Sequence, residues 1–104
     1  MSGIANALRG EATLLVAGVA RLLRPSFTAL VAAEEELGPL FTLVERAGDG
    51  KLRLNELAAL FWHCLTDQDG LAREDVGEAV VEQGLAACAA PLRSLLSQIL
   101  KGSG

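Results

Sequence analysis

The pattern of hydrophobic and polar positions is organised around one amphipathic segment, residues 22–38. Apolar side chains and one carboxylate recur there at the 3.6-residue spacing of a helix: Phe27, Leu30, Val31, Glu34 and Leu37. Pro25 favours extended backbone before the helix, and Ser26 is a good N-cap because its hydroxyl can accept an amide proton from the first turn. Gly38 suits a left-handed residue after the helix, and the proline that follows prevents its continuation.

Glu34 is the one charged member of this stripe. Either its carboxylate is partly buried and anchors the hairpin loop or a partner, or it lies at the edge of the stripe and reaches solvent. Carboxylates are seldom buried unless they are paired. The sequence leaves both interpretations open.

Two short runs before this helix alternate between apolar and polar residues, as strands with one buried face do. A three-residue loop over 16–18, with Gly18 at positive φ, would join them into a hairpin. In that register Leu14 opposes Ala20, and one face carries Ala12, Leu14, Ala20 and Leu22. The competing interpretation is a single helix over 11–24. We favour the hairpin, since Gly18 and Pro25 bracket the two runs.

Two further helices are predicted in the middle of the chain. Pro39 suits the first position of a short helix, whose apolar residues are Leu40, Phe41 and Val44. Asn55 can cap the next helix, with a carboxylate in its first turn at Glu56. The apolar face of that helix consists of Leu57, Leu60, Phe61, Cys64 and Leu65. Trp62 and His63 lie off this stripe.

The last part of the chain predicts two more helices. The first covers 73–83, with Val76, Val80 and Val81 facing inward, and Gly84 ends it. The second covers 85–100, where Pro91 should introduce a kink or start a new segment. Its apolar face has helical spacing and consists of Leu92, Leu95, Leu96, Ile99 and Leu100.

These elements predict an α+β fold, mainly helical, with an N-terminal β-hairpin followed by about five short helices. The 104 residues are expected to form a single domain. We expect residues 1–9 and 102–104 to be mobile.

Composition indicates more apolar surface than a small domain can hide. Hydrophobic residues make up 51% of the chain, and the mean hydropathy is +0.36. We expect part of this surface to face a partner or a second copy of the chain, although an alanine-rich core with scattered surface residues is the alternative. The net charge of −4, without a basic stripe, argues against nucleic-acid binding and against binding to an anionic membrane surface.

The sequence also bears on compartment. The first ten residues lack the apolar core of a signal peptide, and the apolar runs are shorter than a bilayer-spanning helix. We therefore expect a cytoplasmic protein. The two cysteines, Cys64 and Cys88, lie in different predicted helices and are expected to be buried thiols, although the sequence alone does not exclude a disulfide between them.

Neither a metal site nor a catalytic site is predicted. With Gly50 at the sixth position of a calcium loop, Ala47 falls at a ligand position where it cannot coordinate, and the second Asp-Gly loop fits less well. Both loops are typical of ordinary turns. His63 is the sole histidine, and its helical neighbour Cys64 points about 100° away. We therefore expect no enzyme, no cofactor and no metal.

Several short motifs in the chain are similar to those of a known family. They are Gly10-Glu11, the stretch from Leu23 to Phe27, Ala29-Leu30, the stretch from Glu34 to Gly38, the stretches 54–58 and 60–65, 76–77, 84–85 and Pro91-Leu92. Together these residues resemble a family of small tail proteins from gene transfer agents and tailed-phage-like prophages. The resemblance covers about residues 10–100.

The resemblance implies a non-enzymatic role in tail formation, either as a tail assembly chaperone or as a tail tube protein. A chaperone of this kind binds the tape-measure protein and keeps it soluble. We favour the chaperone, because a hairpin with about five helices is a poor match for subunits that close large sheets into rings. The alternatives are a tube or tube-associated subunit retained in the particle, and an unrelated helical interaction module.

For the partner-binding surface we predict the hairpin face, two aromatic residues of the central helix and the last apolar stripe, with tape-measure or other tail proteins as partners and a homo-oligomer as a further possibility. The predicted contact residues are Leu14, Leu22, Phe61, Trp62, Leu92, Leu95, Leu96 and Ile99.

Overall fold

The computed structural model describes residues 11–102, and it confirms an α+β fold that is mainly helical. The elements are β1 (Ala12–Val16), β2 (Val19–Leu23), α1 (Phe27–Leu37), α2 (Leu40–Gly48), α3 (Leu54–Cys64), α4 (Arg73–Gln83) and α5 (Leu85–Lys101). The expected mobile ends, 1–9 and 103–104, lie outside the described residues. Gly102 is described and caps the C-terminus of α5.

The hairpin forms as predicted, and the single helix over 11–24 is wrong, but the register differs by one position. The loop has two residues, because Ala17 adopts a positive φ of 51° before Gly18 at 80°. Leu14 therefore pairs with Arg21 rather than Ala20. The prediction assigns positive φ to Gly18 alone, since glycine adopts it most readily.

This register changes which side chains face the core. Directly paired residues share a face of the sheet, and Ala12 pairs with Leu23 rather than Leu22. Ala12 and Leu23 are both buried, whereas Ala20 is exposed and Leu22 is half-buried on the outer face. The predicted face of four residues is thus correct on β1 and wrong on β2.

The hairpin is held against the end of α3 by backbone hydrogen bonds. The Arg24 N–H donates to the Cys64 carbonyl at 2.7 Å, and the Thr66 N–H donates to the Leu22 carbonyl at 3.1 Å. Leu23 and Leu65 form an isolated antiparallel bridge between them. One edge of the ribbon is therefore partly paired, which stabilises a two-stranded sheet that would be marginal alone.

Both ends of α1 follow the prediction. The Ala29 N–H donates to the Ser26 hydroxyl at 3.2 Å, and Gly38 ends the helix at φ 90°. The predicted apolar stripe is only partly covered, because Leu30 and Leu37 are half-buried while Phe27 and Val31 are exposed. The fully buried residues of α1 are Ala29 and Ala33. Small side chains let α1 approach α3 closely. The alanine face of α1 is therefore buried in this contact in preference to the face with the larger apolar side chains.

The side chain of Glu34 lies at the edge of the stripe and reaches solvent, which confirms the second of the two interpretations considered for it. It is exposed, and its carboxylate accepts a hydrogen bond from the Leu40 N–H at 3.1 Å. The side chain therefore supplies an acceptor for the first turn of α2, whose N-cap residue Pro39 has no side-chain acceptor of its own.

The details of α2 and the start of α3 differ from prediction. In α2 the buried residue is Leu43, whereas Phe41 is 81% exposed. Helix α3 begins two residues earlier than expected, so Asn55 lies inside it and Arg53 is the N-cap. The Arg53 N–H donates to the Glu56 carboxylate at 2.9 Å. The carboxylate in the first turn was correctly expected, but the capping residue was not.

The two central helices agree best with the sequence pattern. Every residue predicted on the apolar stripe of α3 is buried, and α4 has the predicted bounds. Gly84 ends α4 at φ 86°. The exception is Val81, which is 65% exposed, while Ala79 is buried instead. The row at i, i+3 and i+4 from Val76 faces the core, and Val81 lies just outside it.

Helix α5 runs continuously through Pro91, so a new segment at that residue is wrong. Leu95 is fully buried, whereas Leu100 at the end of the predicted stripe is 56% exposed. The core lies between the inner face of the hairpin and α3, α4 and α5. Strand β1 packs on both α4 and α5, while α1 covers α3 from outside.

Candidate partner-binding surfaces

An open groove of about 980 Å³ lies between α3, α4 and the end of α1. Its apolar lining comes from Leu54 and Ala58 of α3 and from Gly77 and Val81 of α4. The side chain of Leu54 is 47% exposed, and that of Val81 is 65% exposed. The groove therefore presents aliphatic surface that no described residue covers.

Carboxylates of α4 border this groove. Glu74, Glu78 and Glu82 recur at four-residue spacing and line one side of it. None of the three forms a described ion pair with another residue of 11–102. Since like charges at i and i+4 on a helix destabilise it, this row costs the protein some stability. The groove thus combines an apolar floor with a negatively charged rim.

An ion-pair cluster lies at one end of the groove and joins three helices. The Glu36 carboxylate of α1 accepts from His63 Nε2 at 2.8 Å and also pairs with the Arg73 guanidinium of α4. The hydrogen bond from Arg73, and then that from His63, lowers the pKa of Glu36 below its ordinary value. The cluster connects α4 to α1 and α3 at this end of the groove.

A second ion pair joins α2 to α3. Arg46 donates to both oxygens of Glu56, at 2.8 and 2.6 Å. The same carboxylate accepts the Arg53 N–H, and these two partners lower the pKa of Glu56 to about 2, with Arg46 the larger cause. Because this guanidinium is bidentate, the contact between α2 and α3 is geometrically specific.

A smaller cavity of about 480 Å³ lies beside the end of α3. Trp62 and His63 line it together with Ser26 and Thr28 at the start of α1. Gln68 closes one side and donates to the Trp62 carbonyl at 2.8 Å. Trp62, one of the predicted contact residues, thus borders a cavity while it also packs against the core.

The predicted contact residues divide into two groups in the structure. Leu14, Phe61 and Leu95 are fully buried and belong to one core cluster. The other five, which are partly exposed, are Leu22, Trp62, Leu92, Leu96 and Ile99. A binding role for the eight residues stays a prediction, and burial gives the first three a packing role in the folded chain.

Other exposed apolar residues were not predicted as contacts. Phe27 on α1 is 84% exposed, and Leu15 and Val19 lie exposed near the tip of the hairpin. The paired alanines Ala29 and Ala33 were the available sequence signal, because two small residues four positions apart mark a face for close helix packing. Because the face with Ala29 and Ala33 packs against α3, Phe27 lies on the solvent-exposed side of α1.

The loops and thiols show ordinary chemistry. Gly50 and Gly70 follow aspartates at positive φ, which confirms both Asp-Gly segments as turns. Cys64 and Cys88 are buried free thiols, and burial raises the pKa of Cys64 to about 12.

Over residues 11–102 no three His, Cys, Asp or Glu side chains are grouped in a way that could hold a metal ion. In the same range, no helix combines the length and apolar character needed to cross a bilayer.

Comparisons with known proteins identify one family. A family model described as phage tail tube protein, GTA-gp10, matches residues 9–102. Curated proteins and solved structures gave no match. The match covers both the hairpin and all five helices. The chain therefore belongs to the GTA-gp10 family of phage tail proteins.

Proposed function

We propose that this protein is a non-enzymatic tail assembly chaperone of a gene transfer agent or prophage. It would bind the tape-measure protein in the cytoplasm of the bacterial host while tube subunits assemble. The observation that carries the proposal is apolar surface on separate helices, with Phe27, Phe41 and Val81 all largely exposed. Large apolar side chains without cover in a small tail protein support a binding role.

The hairpin supports recognition through helices rather than through strand addition. The 64–66 segment bonds to the outer edge of β2, and the Gln83 side chain donates to the Leu15 carbonyl on β1 at 2.6 Å. Both edges are thus partly occupied. Adding a strand requires a row of free backbone groups, so the helical surfaces are the better candidates for the contact.

A co-expression experiment tests the proposal. The tape-measure protein encoded beside this chain is produced alone, with this chain, and with an unrelated acidic protein of similar size. We expect the tape-measure protein to stay in the soluble fraction and to co-purify only with this chain. Equal solubility in all three cultures, without co-purification, would refute the proposal.

A tube or tube-associated subunit is the second candidate, and the family's description as a phage tail tube protein favours it. In that case the exposed Leu15 and Val19 of the hairpin would contact neighbouring subunits. Mass spectrometry of purified particles beside their lysate separates the two roles. A chaperone is abundant in the lysate and absent from particles, whereas a tube subunit is present at many copies per particle.

A further inference from the structure

We propose that the groove between α3 and α4 binds an amphipathic helix of another tail protein. Apolar side chains of that helix would lie along the floor of the groove, and its lysines or arginines would face the carboxylate rim. This inference rests on the proposed function, since it assigns a site and a partner chemistry to it. It is separate from the eight contact residues predicted from sequence, none of which lines the groove.

The shape of the groove depends on a glycine inside α4. Gly77 lies in the lining, and a Cβ placed on it would meet no heavy atom within 4 Å outside its own helix. Glycine destabilises a helix interior relative to alanine, and here no close packing requires it. Its effect is to leave open space in the lining of the groove, where a side chain from a partner can enter.

The charges define the occupant. Helix α4 carries one arginine and four carboxylates, and Arg73 is paired with Glu36, while Asp75 accepts the Ala72 N–H. The three groove carboxylates therefore remain available to a cationic partner. Their charge disfavours nucleic acid and anionic lipid, both of which need a basic surface.

The dimensions also suit a helix. The row from Glu74 to Glu82 covers eight steps of α4, or about 12 Å at a rise of about 1.5 Å per residue. This is a little over two turns, the length over which a partner helix presents apolar residues at i, i+3, i+4 and i+7. Basic residues on either side of that stripe would reach the rim.

The probe for this proposal is a synthetic amphipathic helix with leucine at those four positions and lysine on both flanks. A second peptide has glutamate in place of each lysine. Binding to the full chain is measured by titration calorimetry at low and at high salt. We expect the lysine peptide to bind, the glutamate peptide to bind at least about tenfold more weakly, and salt to reduce this difference because it screens exposed charges.

Gly77→Leu tests the groove without removing any native contact. The new side chain fills open space, and leucine is a better helix former than glycine, so thermal stability should be retained or raised. Binding of the lysine peptide should fall by about tenfold or more, a loss of about 1.4 kcal/mol. The matched control is Gly48→Leu, which adds the same side chain on α2, also with nothing within 4 Å of its Cβ.

The charge contribution is tested by exchange. Glu78→Lys combined with Glu82→Lys should weaken binding of the lysine peptide and strengthen binding of the glutamate peptide. Glu45→Lys, which replaces an exposed carboxylate on α2, should change neither by more than about twofold, since α2 contributes no residue to the groove and salt screens charges at longer range. Unchanged binding in Gly77→Leu, or no reversal in the charge exchange, would overturn the proposal.

Two further results separate this inference from the proposed function. If the tape-measure protein co-purifies equally with the wild type and with Gly77→Leu, the groove is not the site, and the chaperone role stands. If the tape-measure protein never co-purifies, the chaperone role falls, while the peptide titrations still decide whether the groove binds a basic helix. Sedimentation in which Gly77→Leu abolishes a dimer would assign the groove to a second copy, against the proposal.

Discussion

The side chain of Gln83, the last residue of α4, donates a hydrogen bond to the backbone carbonyl of Leu15 in β1 at 2.6 Å. The same amide nitrogen also donates to the Ala79 carbonyl at 3.1 Å. One side chain thus ties the C-terminal end of α4 to the outer edge of the hairpin, across 68 positions of sequence. It both stabilises that edge and occupies part of it.

Gln83→Ala should lower the free energy of unfolding by about 0.5–1 kcal/mol, in the range of one partly exposed hydrogen bond. Hydrogen exchange of β1 amides should become faster, and self-association through the freed edge should increase. Urea denaturation, exchange and sedimentation measure the three effects. Glu82→Ala, at the adjacent exposed position, is the control. Unchanged exchange in β1 would show that the bond does not hold the edge.

Ala17→Asn should stabilise the hairpin. Ala17 adopts φ 51°, a conformation that costs a residue with a Cβ roughly 1–2 kcal/mol, and asparagine tolerates it better. We expect a gain of about 0.5–1 kcal/mol in the free energy of unfolding, measured with urea. Gly18→Ala is the reciprocal variant and should destabilise, because Gly18 has φ 80°. A loss in Ala17→Asn would contradict the observed turn.

Leu95→Ala should cost about 2–5 kcal/mol of stability, because it leaves a cavity at a fully buried core position. Leu100→Ala removes a side chain of the same size from an exposed position of the same helix, and should change stability by no more than about 0.5 kcal/mol. Thermal unfolding of both variants checks this. Ile99→Ala, at a half-buried position, should fall between them. If Leu95→Ala and Leu100→Ala lowered stability equally, burial would not determine how much each residue of this apolar face contributes to stability.

Glu56 should contribute a pH-dependent part of the stability. Its pKa in the folded chain is about 2, against an ordinary value of 4.5, chiefly because Arg46 stabilises the charged form. A lowered pKa means that the contribution is complete above about pH 4.5 and is lost as the pH falls towards 2.

Glu56→Gln should therefore lower stability at pH 7 by about 1 kcal/mol, a value for an ion pair that is only partly shielded from solvent. The difference from wild type should shrink between pH 4.5 and pH 2, the two values that bound the titration of this carboxyl. Urea denaturation at several pH values measures it. Glu45→Gln, an exposed carboxylate on α2 outside the described ion pairs, should show no such trend. A constant difference across this range would argue against the Arg46 pair.

The candidate groove could not be read from the sequence. The sequence pattern predicts that Val81 faces inward. It does not show that Gly77 lines a groove, because the role of a glycine inside a helix depends on which residues lie opposite it. The carboxylates at 74, 78 and 82 are visible as a row at helical spacing, but their border position follows from how α4 packs on α3. Only an expectation of uncovered apolar surface could be stated beforehand.

The sequence by itself determined the features that depend on neighbouring residues. Ser26 begins α1, Gly38 and Gly84 end helices, and the apolar stripe of α3 marks the central buried helix. Caps and periodicity act within one or two turns, so a local pattern is sufficient for them.

Only the tertiary structure decided which of several apolar faces is buried. In α1 the alanine face prevailed over Phe27, because close contact with α3 required small residues. In the hairpin a single residue at positive φ, Ala17, moved Leu22 to the outer face. Both outcomes depend on the neighbour that each element meets or on one backbone torsion, and neither is encoded in hydrophobic spacing alone.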